Sequence, residues 1–408
     1  MNRASEVRVG LNLEGHYYDV GLLALIDGKI YFEYTAAFLD NGLELSPFKL
    51  PLKNGAVFND DGEFEGLFGL FNDALPDGWG RLLIDRYLRN GGISPEKVTP
   101  LDRLLYSGTD AIGALTFEPN HAESIDSDFN AVLDLDLLDK QMKEILDGQA
   151  EEVLEALLVL NGSSAGARPK ALIQVSEDRK TLIYNDEELE SGFEQWLVKF
   201  SNSGDSVYSG SIEYAYSLMA KEAGLEMEET HLFKGRSLQR YFGTKRFDRR
   251  GDKRMHVHTL CGLIHSDFRV PSLDYDDLLA VTTALTKDVK ECEKAYRLAC
   301  FNVLAHNRDD HEKNVSFLMD SSGRWKLSPA YDLTFSSGPN GWQSMTVMGE
   351  GEAPGLKDLK KLADAHEIKH YKKIIDDVLK AVSEWQKFAE MAGVPNQEAL
   401  LIDKVIGG

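Results

Sequence analysis

Cysteine is scarce in this chain, and the little there is does not pair. Cys261, Cys292 and Cys300 show no CxxC spacing, which sets aside a disulfide-stapled secreted fold and a cysteine-based zinc site. Long apolar runs are missing too, since nothing approaches the roughly 18 residues that a membrane helix requires. The start, MNRASEVRVGLNLEGHYYDV, turns polar and alternating at once, without the continuous apolar core of a signal peptide. Positive charge is in deficit: 45 Lys and Arg stand against 67 Asp and Glu, a formal net charge of −22. That balance argues against a broad nucleic-acid or anionic-membrane surface, yet leaves room for a small basic pocket taking a phosphorylated ligand. Internal repeats and low-complexity linkers are absent. The expectation is a soluble cytoplasmic protein without membrane association.

What is present suits a globular chain of two or three folding units: 408 residues, 43% hydrophobic and 10% aromatic. Residues 6–53 read as β-rich, with Asp27-Gly28 as a hairpin signal. A helical stretch follows, with Pro76-Asp77 opening a second helix and Gly91-Gly92 closing it. A short helix, a glycine turn and a strand complete an α+β unit over 1–119. From His121 to Leu160 eleven carboxylates face two lysines, which reads as a solvated acidic face. Strands are expected at KALIQVS, KTLIYND and EQWLVKFS, with one helix at SIEYAYSLMAKEAGL, giving a second unit over 120–250. The remainder, 251–408, is mainly helical. Asp274 and Asp277 form a capping box there, and Leu298, Phe301 and Leu304 a core-facing stripe.

The chemistry concentrates in LAHNRDDHEKNVSF. A helix ends near His306, Asp309 falls in the loop beyond it, and NVSFLM-DSSGR-WKLS reads as a hairpin delivering Asp332. Helix, acidic loop with Asn, hairpin, second Asp is the order that phosphoryl transfer from ATP uses. One carboxylate orients or deprotonates the acceptor hydroxyl, while an Asn and a second carboxylate hold magnesium on the phosphates. Asp309 to Asn314 has the D-x-x-x-x-N spacing of the protein-kinase catalytic loop. One competing reading makes Asp309 and Asp310 caps of the next element. Another builds a metal-hydrolase site from His306, Asp309, Asp310 and His311, although two histidines five apart lack the usual i, i+4 helical spacing.

Upstream, NGSSAGARPKALIQV supplies a small-residue turn into a strand, which lets backbone N–H groups approach phosphate oxygens or forms an ordinary turn. Lys199 ends a β pattern, as strand-borne ATP-binding lysines do, or snorkels from a sheet edge. Glu213, opening the following helix, pairs with Lys199 or simply favours the helix N-terminus. In TKRFDRRGDKR, Phe247 suits a segment passing beside a bound base, with structural ion pairing as the alternative for the arginines.

Taken together, NDALPDGWGRLLIDRYL, DRLLYSGTDAIGALTF, SSAGARPKA, WLVKF, EYAYSLMAKEAGL, KRFDRR, NRDDHEKNVSF and LSPAYDLTFS resemble, in order, the HipA-like toxin kinases of bacterial toxin–antitoxin modules. The match covers most of residues 1–335. The resemblance implies an α+β, two-lobed protein-kinase-like fold with an added β-rich N-terminal subdomain and a helical C-terminal lobe. It implies a serine/threonine kinase using ATP and Mg2+, with Asp309 as catalytic base and Asn314 and Asp332 as metal ligands. Lys199, His311, Lys313 and Tyr331 would serve the nucleotide site. The loop Ala165, Gly166, Ala167, Arg168, Pro169 and Lys170 would cover the phosphates, and Lys245, Arg246 and Phe247 would form the hinge beside adenine. Ser163 stands where the family carries an autophosphorylated serine, with Ser164 beside it. A HipB-like helix-turn-helix antitoxin would be the partner and would supply the DNA contact. An aminoacyl-tRNA synthetase is the implied kind of protein substrate. Departures are the SAGARPK loop, which lacks a further glycine, and Lys245 in place of an acidic hinge residue. The rivals are a catalytically silent corepressor and a small-molecule kinase.

Overall fold

Two tight turns begin the fold. Glu14-Gly15 (φ 51° and 89°) and Asp27-Gly28 (φ 49° and 77°) both place two successive residues in the left-handed region, the backbone whose twist matches flanking antiparallel strands. They join Glu6–Leu13, His16–Ile26 and Lys29–Tyr34. Val57–Phe58 and Leu115–Glu118 complete a five-stranded sheet at its two edges. This computed structural model describes residues 4–108, 111–121, 132–148, 154–161, 166, 168–184, 189–202, 204–236, 238–270 and 272–407.

Val7, Val9, Leu11, Leu23 and Phe32 bury one face of the sheet against Phe71 and against Leu101, Leu104 and Leu105 of the helix Pro100–Ser107. The helix Gly78–Asn90 behaves differently. Asp77 caps it by accepting from the Gly78 N–H, and Gly91 ends it. Its Trp79, Leu83, Ile84 and Leu88 join a second core, built mostly from residues 133–241.

That second core lies under another five-stranded antiparallel sheet, in the order Leu182–Ile183, Lys170–Ser176, Phe193–Lys199, Arg240–Lys245, Thr230–Lys234. The last two strands have no counterpart in the sequence reading. They are short, carry polar residues at half their positions, and are joined without a tight turn dipeptide. The helix Ser209–Glu222 packs beside them. The acidic run also departs from expectation, because part of it is docked rather than solvated. In the helix Leu135–Leu146, Asp136 accepts from the Tyr241 hydroxyl at 2.7 Å and the Arg236 N–H at 2.6 Å, and Asp139 is buried.

The C-terminal lobe is helical around Tyr275–Thr286 and Val289–Leu304. The expected capping box at Asp274 and Asp277 is formed. Leu298 and Phe301 are buried and Leu304 half-buried. A small sheet of His256–Thr259, Ser316–Met319 and Trp325–Leu327 contains the expected hairpin. Met319 reaches into the N-terminal core, and Trp325 touches that core and the C-terminal one. The hairpin between the acidic loop and Asp332 is therefore clamped by both ends of the chain. All three cysteines are buried free thiols.

Candidate active site

The site grows from one ladder position. Lys170 and Lys199 face each other across neighbouring antiparallel strands, where like charges destabilise unless anions meet them. Two anions do. The Lys199 ammonium lies 2.6 Å from Glu213 Oε1, in the helix Ser209–Glu222, and 2.5 Å from Asp332 Oδ1, after the hairpin. Burial favours the neutral lysine, but Asp332 and Glu213 outweigh it and raise the Lys199 pKa. Burial likewise pushes the Asp332 carboxyl up, yet Lys199 and Lys170 hold it well below the usual range. Glu213 is raised, because its burial outweighs the nearby ammonium. Lys170 is lowered to about 8, by burial first and then by the charge of Lys199.

Gly166 sits over this cluster. Its φ of +100° suits glycine, and a Cβ there would lie 2.5 Å from Lys170 Nζ, so the loop lies against the ammonium. Arg168 pairs with Asp205 at 3.2 Å, and Pro169 accepts from the Phe200 N–H. Ser163, Ser164, Ala165 and Ala167 lie outside the described residues.

The acidic loop follows the helix Val289–Leu304 and closes with a short turn, Glu312–Asn314. Its two adjacent aspartates meet different fates. The Asp309 side chain is 59% exposed, with His311 Nε2 3.8 Å away. Asp310 is buried and accepts from the Tyr275 hydroxyl at 2.5 Å, Gln343 Nε2 at 2.8 Å and the Ser344 N–H at 2.9 Å. Burial still raises it to about 6. Asp310 is thus the strut of the loop and Asp309 its open carboxylate. His311 lies beside Asp309, and its charge is the last of those that favour ionised Asp332. Its Nδ1 is buried with no hydrogen-bond partner among the described residues.

Asn314 donates from Nδ2 to the Asp309 carbonyl at 2.8 Å, leaving its own carbonyl oxygen as the group for a cation. No group of three or more His, Cys, Asp or Glu side chains that would hold a metal occurs among the described residues. A carboxylate and an amide suit magnesium, which keeps waters and completes its shell with substrate phosphates. The residues present therefore fit a magnesium–nucleotide better than a resident metal, and they leave the hydrolase reading without its ligand set.

In the segment expected to form the hinge, two side chains are paired within the protein. Arg246 turns inward onto Asp248 at 3.0 and 2.7 Å, and Arg249 shares that carboxylate at 2.5 Å. Burial would push Asp248 up, but the two guanidiniums hold it far below the usual range. Withdrawing a buried arginine would strand charge, so the Arg246 side chain belongs to the scaffold. Lys245 pairs with Glu194. Phe247 instead lies 5.3 Å, centroid to centroid, from the Tyr331 ring, and the Tyr331 hydroxyl reaches the Lys313 carbonyl at 2.7 Å.

One residue of the site was not singled out in the sequence. Asp77, from the N-terminal unit, lies 2.9 Å from Lys313 Nζ. Burial pushes its carboxyl up, but Lys313 outweighs that and lowers it. The only local signal is Pro76-Asp77 as a helix start, which says nothing of a partner 236 positions away.

Comparison with known families decides the relationship. The model of the HipA-like C-terminal domain matches residues 162–386, and that of the HipA N-terminal domain matches residues 15–118. The chain belongs to the HipA-like family. Among solved structures it is similar to the toxin–antitoxin complex of HipA, HipB and operator DNA from Shewanella oneidensis MR-1. That match has 18% identity and a TM-score of 0.67, and covers 98% of this chain and 94% of that one. The proinflammatory kinase CtkA of Helicobacter pylori matches at 13% identity and a TM-score of 0.35, over 56% of this chain and 97% of that one. The family models and the likeness to the HipA complex give the chain the expected α+β, two-lobed fold with its β-rich N-terminal addition. No helix among the described residues is long and apolar enough to cross a membrane.

Proposed function

We propose that this HipA-like chain is an ATP- and magnesium-dependent serine/threonine protein kinase, the toxin of a toxin–antitoxin module. One observation carries the reading: a strand-borne lysine held at once by a helix carboxylate and by the aspartate after the hairpin, Lys199 with Glu213 and Asp332. Protein kinases require the lysine–glutamate pair together with a magnesium-binding aspartate after the hairpin, and Lys199 brings the two carboxylates that would fill these roles to one place.

In this reading Lys199 and Lys170 meet the nucleotide phosphates under Gly166, and Phe247 with Tyr331 flanks the base. Asp332 and the Asn314 carbonyl hold magnesium, which neutralises charge on the phosphate oxygens when bound. Asp309, exposed and beside His311, accepts the proton of the incoming hydroxyl. Autophosphorylation at Ser163 would add a doubly charged group within the loop that cradles phosphates, and so switch the enzyme off.

The partner is a HipB-like helix-turn-helix antitoxin, and DNA is reached only through it, in keeping with a chain of net charge −22. The proposed substrate is a translation-related protein such as an aminoacyl-tRNA synthetase, and the proposed location is the cytoplasm. The test is transfer of label from γ-labelled ATP to the protein itself and to polypeptides of a cell lysate. Labelled polypeptides support the reading. Label confined to small molecules indicates a small-molecule kinase, and no label in either indicates a silent corepressor.

A further inference from the structure

The N-terminal unit places a carboxylate, Asp77, against the proposed site. Asp77 makes two bonds that point in different directions: Oδ2 lies 2.9 Å from Lys313 Nζ of the acidic loop, and Oδ1 accepts from the Gly78 N–H at 2.9 Å. The second bond caps the helix Gly78–Asn90, and the next N–H of that helix, from Trp79, donates to the Gly166 carbonyl at 3.3 Å. Both members of the ion pair are largely buried, with 19% of the Asp77 side chain and 11% of Lys313 exposed. Lys313 also lies 4.9 Å over the Phe268 ring, and its carbonyl receives the Tyr331 hydroxyl immediately before Asp332. Trp79 is 1% exposed, so the helix end cannot swing away from the second core.

We infer that Asp77 is a positioning residue that holds the acidic loop and the phosphate-covering loop in register, making the N-terminal unit a structural part of the nucleotide site. Asp77 reaches one loop directly through Lys313 and the other through the helix start that it caps. Severing the pair leaves Lys313 free to follow its own rotamers and uncouples the acidic loop from the capped helix start beside Gly166. This inference rests on the kinase reading, since it concerns how that site is assembled.

A double-mutant cycle tests it, with Asp77→Asn, Lys313→Met and the pair combined. Asn keeps an oxygen for the Gly78 cap and removes the charge, and Lys313→Met leaves the cap untouched, so folding is retained in at least one arm. The readouts are steady-state phosphoryl transfer from γ-labelled ATP and thermal unfolding. The expected result for Asp77→Asn is a KM for ATP raised about tenfold with a smaller change in kcat. Lys313→Met should do the same, and the double variant should be no worse than Lys313→Met alone. An unchanged KM in Asp77→Asn, or effects that simply multiply, overturns the inference while the kinase reading stands. A wild-type protein that transfers no label overturns the kinase reading itself.

Discussion

Among the described residues stand two five-stranded antiparallel sheets of similar size, and they do opposite things with charge. The N-terminal sheet buries Val7, Val9, Leu11, Leu23 and Phe32 on its inner face, and Thr116 is its only buried polar residue among those described. The second sheet places Lys170 at 4% exposure opposite Lys199 and gathers Glu213 and Asp332 around them. A sheet that only has to fold alternates apolar and polar residues and closes with tight turns. The sheet proposed to bind phosphate carries lysines at buried positions, at a cost in stability that neighbouring anions offset. Equal architecture therefore tells nothing about role. The difference lies in which buried positions are charged.

The sharpest break in that comparison is on the charged side. Asp309→Asn should lower phosphoryl transfer about 10³-fold, with stability within about 0.5 kcal/mol of wild type because the side chain is exposed. Labelled-ATP assays alongside thermal melts check both halves, and near-normal turnover would remove Asp309 from the role of base. The mirror experiment is Phe32→Ala in the apolar sheet. It should cost about 3–5 kcal/mol of stability while leaving turnover per folded molecule unchanged, as read by denaturant titration and active-site counting.

A subtler contrast comes from pH. The folded-state pKa of Lys170, about 8, lies below the usual lysine value of 10.5, so between these the unfolded chain binds more protons. Stability should rise across that window, by on the order of 1–3 kcal/mol, and be at its lowest below pH 8, where the buried ammonium is charged. Lys170→Met should flatten this slope in denaturant titrations from pH 8 to 10.5. A slope that survives the substitution would mean that Lys170 is not its source. The apolar sheet has no buried lysine among its described residues, and its buried Tyr34, raised by burial, acts with the opposite sign, costing stability as pH rises above 10.

Local chemistry was legible in the chain. The Asp27-Gly28 hairpin, the Asp77 and Asp274 helix starts and the order from acidic loop through hairpin to Asp332 each depend on a few consecutive residues. The strands Thr230–Lys234 and Arg240–Lys245 were not legible, because half-polar segments gain strand character only from neighbours in the sheet. For the arginines of TKRFDRR the sequence left ion pairing open beside a ligand role, and Asp248 and Arg249 draw Arg246 into a buried ion cluster. Adjacent Asp309 and Asp310 look alike in sequence. Tyr275, Gln343 and Ser344, contributed from elsewhere in the chain, make one a strut and leave the other open.

By itself, then, the sequence determined the kinds of groups available and their order along the chain, since turns, caps and periodicity are short-range. Only the tertiary structure decided which of those groups meet. Lys199 reaches Asp332 across 133 positions and Lys313 reaches Asp77 across 236. Such contacts arise because burying the apolar cores brings distant segments together, and a charge carried into the interior must then find its counter-charge there.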